Sequence, residues 1–293
     1  MNNREPRYTR LNESHREEVI AFLRAHLTTS MFLVSNLNAA GFAYAGERFQ
    51  GVWCGAWRGQ ELVGVASHAW NGNIIIQCPE TDPATLTHAT LASSKRALGG
   101  LIGPWNQLEL VMKTFEIDPS SCGYSNREPL FTLALDELEL PAQLSAPNIS
   151  YRCATADDLD AALAWRIDYD TELFGSADPE RSGAAIESLI QKQELWLLTY
   201  RDAPVSMTGL NASALDTVQI GGVWTPVAHR RRGYARAAVA AQLLDCKARG
   251  FRRAILFTGE DNIAAQRAYE ALGFERSGSY GLVLNIPAKK EAP

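Results

Sequence analysis

The chain has 293 residues and a formal net charge of −5 at pH 7, and its composition is 46% hydrophobic, 21% charged and 9% aromatic. This mixture is typical of globular domains and excludes a largely disordered, collagen-like or coiled-coil chain. The acidic balance disfavours binding to nucleic acid or to an acidic membrane surface, and no stretch approaches the roughly 18 apolar residues of a membrane helix, so we predict a cytoplasmic protein without a secretory signal.

The first half of the chain predicts a strand, helices and a hairpin, in that order. Residues 7–11 are strand-like, and apolar residues at helical spacing follow them. Residues 51–57 and 62–66 flank a short glycine turn, as in a β-hairpin. We interpret the aromatic residues Trp53 and Trp57 as core, with the wall of a substrate pocket as the alternative.

A segment punctuated by proline separates the two halves. Pro141 and Pro147 are six residues apart, which disfavours a continuous helix or a central strand between them. Residues 149–153 then resume a strand pattern. At roughly 150 residues per domain the length also favours two domains, and we place them at residues 1–140 and 149–293.

The second half repeats the order of elements seen in the first. Thr155 is suited to cap a helix that follows the strand. Residues 195–200 and 205–209 then form a second predicted hairpin, and a further strand and helix come after it. This order predicts an α/β protein with two tandem copies of one fold, each a twisted mixed sheet flanked by helices.

The segment from residue 219 to residue 236 has the clearest chemical signature. A predicted strand ends at Thr225-Pro226, three consecutive arginines follow, and a helix begins beyond Gly233. The small residues Gly233 and Ala235 allow close approach of a ligand, and the free N–H groups of a first helical turn favour an anion. Neither a GxxxxGK(S/T) nor a GxGxxG motif occurs here. The arginines and the helix start therefore predict a diphosphate site.

Three motifs in this half resemble those of the GNAT superfamily of acyl-CoA-dependent N-acyltransferases. The run Arg230-Arg231-Arg232-Gly233-Tyr234-Ala235 is similar to the family's R/QxxGxG/A loop, whose amides hold the pyrophosphate of coenzyme A. The preceding Val223-Trp224-Thr225 resembles the family's fourth strand, whose backbone pairs with the pantetheine arm. Downstream, Asn262, Tyr269 and Gly273-Phe274 match the signature of the last helix.

The resemblance implies direct transfer of an acetyl group from acetyl-CoA, as co-substrate and without a metal, to a primary amine of a small molecule or amino acid. It implies that Tyr269 is the catalytic donor to the CoA sulfur, and we place an oxyanion donor at the backbone N–H of Val223. The cofactor-binding residues would be Val223, Trp224, Thr225, Arg230, Arg231, Arg232, Gly233, Tyr234, Ala235, Arg236 and Asn262. The expected protein is a monomer or homodimer that binds neither nucleic acid nor membrane.

The N-terminal half shows the order of elements of the GNAT fold without the motifs of the family. A copy without the motifs followed by a copy with them is similar to the layout of glycine N-acyltransferase-like proteins. We take Lys95–Pro104 as its nearest counterpart to the anion loop, and we infer that this copy has lost CoA binding.

Several alternatives stay open at this point. The general base is unassigned among Asp170, Glu172 and Glu260. Tyr269 is alternatively a core aromatic, Asn262 a plain helix cap, and the arginines a solvated loop or a nucleic-acid patch. A non-catalytic acyl-CoA-binding regulatory module is the competing function.

Overall fold

A computed structural model describes residues 5–287 of the chain. The chain divides into two compact units: unit 1 is Met1–Pro129 with Gly278–Pro293, and unit 2 is Leu130–Ser277. This division differs from the predicted boundary at residues 140–149, because it falls inside two strands rather than in the proline-containing segment. Within the described residues, no helix is both long and apolar enough to cross a membrane.

Within residues 5–287, the two units contain twelve strands and eight α-helices. The strands are β1 (Arg7–Arg10), β2 (Gly51–Arg58), β3 (Glu61–Ala69), β4 (Asn73–Gln77), β5 (Gly100–Pro104), β6 (Tyr124–Ala134), β7 (Ile149–Cys153), β8 (Leu195–Tyr200), β9 (Ala203–Ala214), β10 (Thr217–Trp224), β11 (Arg253–Phe257) and β12 (Glu275–Leu284). The helices are α1 (Arg16–Ala25), α2 (Leu27–Ala40), α3 (Pro83–Ser94), α4 (Trp105–Phe115), α5 (Leu159–Phe174), α6 (Pro179–Gln191), α7 (Tyr234–Ala248) and α8 (Ile263–Glu270).

Unit 1 is a mixed sheet with the strand order β1-β2-β3-β4-β5-β12. Strands β4 and β5 are parallel, and α3 connects them; the other neighbours are antiparallel. Ile74, Ile76 and Leu101 of the sheet pack with apolar residues of α3 and α4. Trp53 and Trp57 are buried, as the core interpretation of these aromatic residues predicts.

Unit 2 has the corresponding order β7-β8-β9-β10-β11-β6. Strands β10 and β11 are its parallel pair, and α7 connects them. One hydrophobic cluster joins the sheet to α7 and α8, and another contains residues of α5 and α6. Helices flank a mixed sheet in both units, and the order of strands and helices is the same, so the predicted repetition of one α/β fold is confirmed.

The last strand of each sheet comes from an unexpected part of the chain. In unit 1 it is β12, whose residues 280–284 pair with 100–104 of β5. In unit 2 it is β6, whose residues 130–134 pair with 253–257 of β11. Each sheet is therefore completed by a strand that lies far in sequence from the strand with which it pairs. This exchange explains why the units do not divide at the proline-containing segment.

A buried histidine makes the stability of unit 1 sensitive to pH. His68 is fully buried; its Nε2 lies 3.1 Å from the carbonyl oxygen of Gly72 and its Nδ1 lies 2.7 Å from the hydroxyl of Ser94. Burial, reinforced by the positive charge of Arg96, lowers the pKa of His68 from 6.5 to about 4. The folded state therefore favours the neutral ring.

We expect the free energy of unfolding to fall as the pH drops from about 6.5 to about 4, because only the unfolded chain readily takes up a proton on His68 in this range. The loss is on the order of 2–3 kcal/mol. Denaturant titrations across this range should show a flatter profile for His68→Gln than for the wild type. Parallel profiles for the two proteins would contradict the assignment.

Candidate active site

The parallel strands of unit 2 separate at their carboxyl ends. β10 pairs with β11 only over residues 217–219, although β10 continues to Trp224 and β11 to Phe257. Beyond Gln219, β10 is in register only with β9. A gap therefore opens between the ends of the two parallel strands, which is where open α/β sheets bind ligands.

A β-bulge lies on the β10 side of this gap. The register of β10 against β9 shifts between Gly221 and Trp224, so that Gly222 and Val223 have no partner in register. Gly222 has φ +60°, a conformation that favours glycine. A side chain at Gly221 would overlap the carboxamide of Asn211. Gly221 therefore accommodates Asn211, and Gly222, with nothing within 4 Å of its Cβ position, leaves the backbone open to close approach.

The bulge also determines on which face of the sheet each side chain lies. Val218 and Ile220 pack in the cluster of α7 and α8, and simple alternation would place Trp224 on the same face. The extra residue moves Trp224 to the cluster of α5 and α6, and it leaves Val223 packed against the cluster that contains Tyr269. The bulge thus places Val223 and Tyr269 on one side of the sheet.

The loop after β10 ends in a helix that has no side-chain cap. A 3₁₀ turn covers Val227–His229, and Arg231 and Gly233 have φ +63° and +77°. Gly233 is the N-cap of α7 and supplies no capping hydrogen bond from a side chain. The first amides of an α-helix have no partner within the helix, so those of α7 are suited to bind an anion.

The arginines of the predicted diphosphate site fall into two groups. Arg231 and Arg232 are exposed, and neither makes a hydrogen bond or ion pair with a residue in the described range. Arg230 lies 4.7 Å from the ring centroid of Trp224, donates from Nε to the carbonyl of Thr225 and forms an ion pair with Glu172 at 2.8 Å. Arg230 therefore supports the loop, whereas Arg231 and Arg232 are available to a ligand.

A glutamine that the sequence did not indicate contacts this loop. Gln143 lies in a 3₁₀ turn, Ala142–Ser145, of the proline-containing segment. Its Oε1 accepts from Nη2 of Arg236 at 3.2 Å, and a Cβ built on Gly233 would lie 2.9 Å from its Nε2. Nε of Arg236 is buried without a hydrogen-bond partner in the described chain. No motif signals Gln143, because its contact with Gly233 spans ninety residues of sequence.

Tyr269 has the environment of a core aromatic residue and also an unpaired hydroxyl. Its side chain packs against Phe131 and Phe274, at ring-centroid distances of 6.4 and 6.0 Å, and is 9% exposed. No hydrogen bond joins the hydroxyl to a described residue. Burial, with a smaller contribution from Tyr169, raises the pKa of Tyr269 well above its usual value near 10. The phenol therefore keeps its proton at all ordinary pH values.

Asn262 caps the helix that carries Tyr269. Its Oδ1 accepts a hydrogen bond from the backbone amide of Ala265 at 3.1 Å. The role of helix cap is thus present, and the carboxamide nitrogen has no hydrogen bond within the described residues.

Each of the three candidate bases is paired with an arginine. Both carboxylate oxygens of Asp170 lie 2.9 Å from Nε of Arg166, and one accepts from the Ser182 hydroxyl. Glu172 pairs with Arg230, as described above, and Glu260 pairs with Arg276 at 2.9 Å. These pairs oppose a role in proton abstraction, because protonation of the carboxylate would weaken the ion pair.

The corresponding corner of unit 1 is closed. The helix after its parallel strand β4 is α3, and its N-cap Asp82 accepts from the amides of Ala84 and Thr85 at 3.2 and 3.0 Å. A carboxylate therefore occupies the position that an anionic ligand would need. In addition, Oε1 of Gln107 accepts from the amide of Cys78 at 2.7 Å, just after β4.

The predicted counterpart at Lys95–Pro104 is therefore wrong. Lys95 ends α3, and Gly100–Pro104 is strand β5. The glycines there belong to a strand instead of a helix start. Comparison of the topology of the two units identifies residues 78–83 as the counterpart of the anion loop. The sequence alone could not provide this comparison.

Solved structures with the same fold cover nearly the whole chain. A GNAT-family acetyltransferase from Colwellia psychrerythraea is 15% identical, with a TM-score of 0.54 over 96% of this chain and 100% of that one. A Drosophila protein is 11% identical, with a TM-score of 0.69 over 96% and 98%. A tandem GNAT protein from the clavulanic acid biosynthesis pathway is 14% identical, with a TM-score of 0.55 over 97% and 100%. These likenesses establish the fold.

The chain is thus an α/β protein with the tandem GNAT fold. Residues 159–274 match the family model described as the acetyltransferase (GNAT) family. A search of curated proteins found no significant match. Within residues 5–287, no three His, Cys, Asp or Glu side chains form a group that could hold a metal ion.

Proposed function

We propose that the chain is an N-acetyltransferase that moves an acetyl group from acetyl-CoA to a primary amine of a small molecule. The observation that carries this proposal is the coincidence, in unit 2, of the gap between β10 and β11 with the uncapped N-terminus of α7. An extended ligand with an anionic end would fit both. Unit 1, where Asp82 caps the equivalent helix, would shape the protein without binding CoA.

The residues of the loop suit the diphosphate of CoA. The amides at the start of α7 would donate to it, and Arg231 and Arg232 would add two free positive charges. The buried, unpartnered Nε of Arg236 is a further donor beside Gly233. Backbone groups of Val223, Trp224 and Thr225 would bind the pantetheine arm, and the Asn262 carboxamide is a further donor for it. When bound, acetyl-CoA supplies the activated acyl group.

The side chains of the site would handle the two protons of the reaction. Tyr269 would donate a hydrogen bond to the sulfur as negative charge grows there. Its raised pKa makes complete proton transfer to a thiolate of pKa about 8.5 unfavourable, so Tyr269 would stabilise the leaving group more than protonate it. The backbone amide of Val223, in the bulge, would stabilise the developing oxyanion.

The acceptor amine would need little help in losing its proton. Deprotonating an amine of pKa about 8 costs roughly 1.4 kcal/mol at pH 7, against roughly 4.6 kcal/mol for a lysine side chain. Because Asp170, Glu172 and Glu260 are all engaged with arginines, water would serve as the proton acceptor. This favours amines of low pKa.

The same engagement of the carboxylates supports the competing function, a regulatory module that binds acyl-CoA without turnover. Release of free thiol from acetyl-CoA, measured against a panel of amines, distinguishes the two. The proposed enzyme should show thiol release that depends on the amine and saturates with it. Tight CoA binding in calorimetry without such release would assign the module, and the absence of CoA binding would refute both functions.

A further inference from the structure

A small recess beside the bulge of β10 contains a positively charged side chain. Its wall includes residues from α5, β9 and β10, namely Arg166, Met207, Gly209, Asn211, Gly221 and Gly222. Because Gly221 and Gly222 flank the gap between β10 and β11, the recess adjoins the place where the acyl group would lie. The recess has room for a group little larger than a water molecule, so it is suited to bind only the end of the acceptor, an inference that rests on the proposed function.

One edge of the Arg166 guanidinium is held by unit 2 itself. Nε lies 2.9 Å from each carboxylate oxygen of Asp170, and the hydroxyl of Ser182 donates to the same carboxylate at 2.6 Å. The guanidinium carbon also lies 5.6 Å from the ring centroid of Tyr169. These contacts restrict the rotamers of Arg166, so its orientation is set before any ligand binds.

The other edge of the guanidinium is available. Neither terminal nitrogen of Arg166 makes a hydrogen bond with a described residue, although the side chain is only 22% exposed. Two parallel N–H groups in a plane match the two oxygens of a carboxylate. The remaining wall is apolar or formed by glycine and an amide, and it contributes no second negative charge.

We infer that Arg166 binds a carboxylate of the acceptor, so that the acceptor is a small amine that also carries a carboxylate group. Gly222, whose Cβ position is open, leaves room for the chain that joins the carboxylate to the amine. Asn211, whose carboxamide lies over Gly221, is placed to contact the same part of the acceptor. A phosphate would match the same donors, and the test below separates the two anions.

The test compares amines that differ only in the anionic group. Glycine, β-alanine and 4-aminobutanoate are each paired with the corresponding amide, and phosphoethanolamine is paired with ethanolamine; rates are expressed per unprotonated amine. At the favoured chain length, kcat/KM should be roughly 10- to 100-fold higher for the carboxylate than for its amide. Arg166→Gln should remove this ratio.

Matched variants control for charge and for folding. Arg166→Lys keeps the charge but not the paired donors, so it should restore only part of the preference. Arg181→Gln removes an exposed arginine of α6 and should keep the full preference. Arg166→Gln/Asp170→Asn replaces the single variant if the unpaired Asp170 prevents folding.

The inference is overturned if the amides react as well as the carboxylates, if the Arg166→Gln protein keeps the preference, or if only phosphoethanolamine shows one. Calorimetry distinguishes failure of the proposed function from failure of the inference about Arg166. If CoA does not bind and no amine reacts, titration of β-alanine and β-alaninamide into wild type and Arg166→Gln still decides the matter. Binding of the carboxylate that depends on Arg166 supports the site, and its absence refutes it.

Discussion

Replacing Tyr269 with phenylalanine is expected to lower kcat by roughly 100-fold, the lower range of the effect of a positioned proton donor. The affinity for CoA should stay close to that of the wild type. The ring is held by Phe131 and Phe274, and its hydroxyl has no partner in the described chain. Phenylalanine therefore preserves the packing and removes only the donor. Steady-state thiol release and CoA calorimetry measure the two effects.

The pH dependence of the wild-type rate provides a second measurement. Because burial raises the pKa of Tyr269 above its usual value, kcat should show no decline from ionisation of this residue between pH about 8 and about 10. The matched control for the Tyr269→Phe variant is Tyr280→Phe, since Tyr280 is also a buried tyrosine with a raised pKa but lies in unit 1. An unchanged kcat in Tyr269→Phe would reduce Tyr269 to a core residue.

The double charge reversal Arg231→Glu/Arg232→Glu is expected to weaken CoA binding by roughly 100-fold at low salt. It replaces two positive charges with two negative ones at a helix N-terminus, which disfavours a diphosphate there. Both side chains are exposed and unpaired within the described residues, so the thermal stability should change little. Salt screens exposed charges, and the difference in affinity should shrink as ionic strength rises.

Two controls separate a local effect from a general one. Arg24→Glu/Lys113→Glu makes the same change in net charge on exposed residues of unit 1 and should leave CoA affinity unaltered. S-acetylpantetheine has no diphosphate, so its reaction rate should be similar in wild type and in the loop variant. Equal CoA affinity in the loop variant and the wild type would show that the diphosphate does not bind at this loop.

Local patterns were enough to predict the elements of the fold. The runs at residues 51–57 and 62–66 that flank a glycine turn predict a hairpin, and the small residues around Gly233 predict a helix start, both through short-range physics. The pairing of strands could not be predicted from local patterns. Nothing in the residues of β6 or β12 indicates that each completes the sheet of the opposite half of the sequence. The boundary at residues 140–149 missed this exchange for that reason.

The candidate site also has a part that the sequence predicts and a part that only the folded structure shows. The loop and Tyr269 lie within recognisable spacing, and the structure brings Val223 and Tyr269 to one hydrophobic cluster. The contacts of Arg166, Tyr169 and Gln143 depend on side chains that meet only after folding. Sequence singled out Asp170 and Glu172 as acids, yet it could not show that each already has an arginine partner.

The placement of β12 also bears on how the protein is made. A ribosome delivers the chain from its N-terminus, and N-terminal domains generally fold first during synthesis. Here unit 1 has five of its six strands early, but the partner of β5 arrives only when residues 280–284 have been translated. Val283 is fully buried in the unit 1 core, so the nascent polypeptide must carry an unfinished sheet while unit 2 emerges.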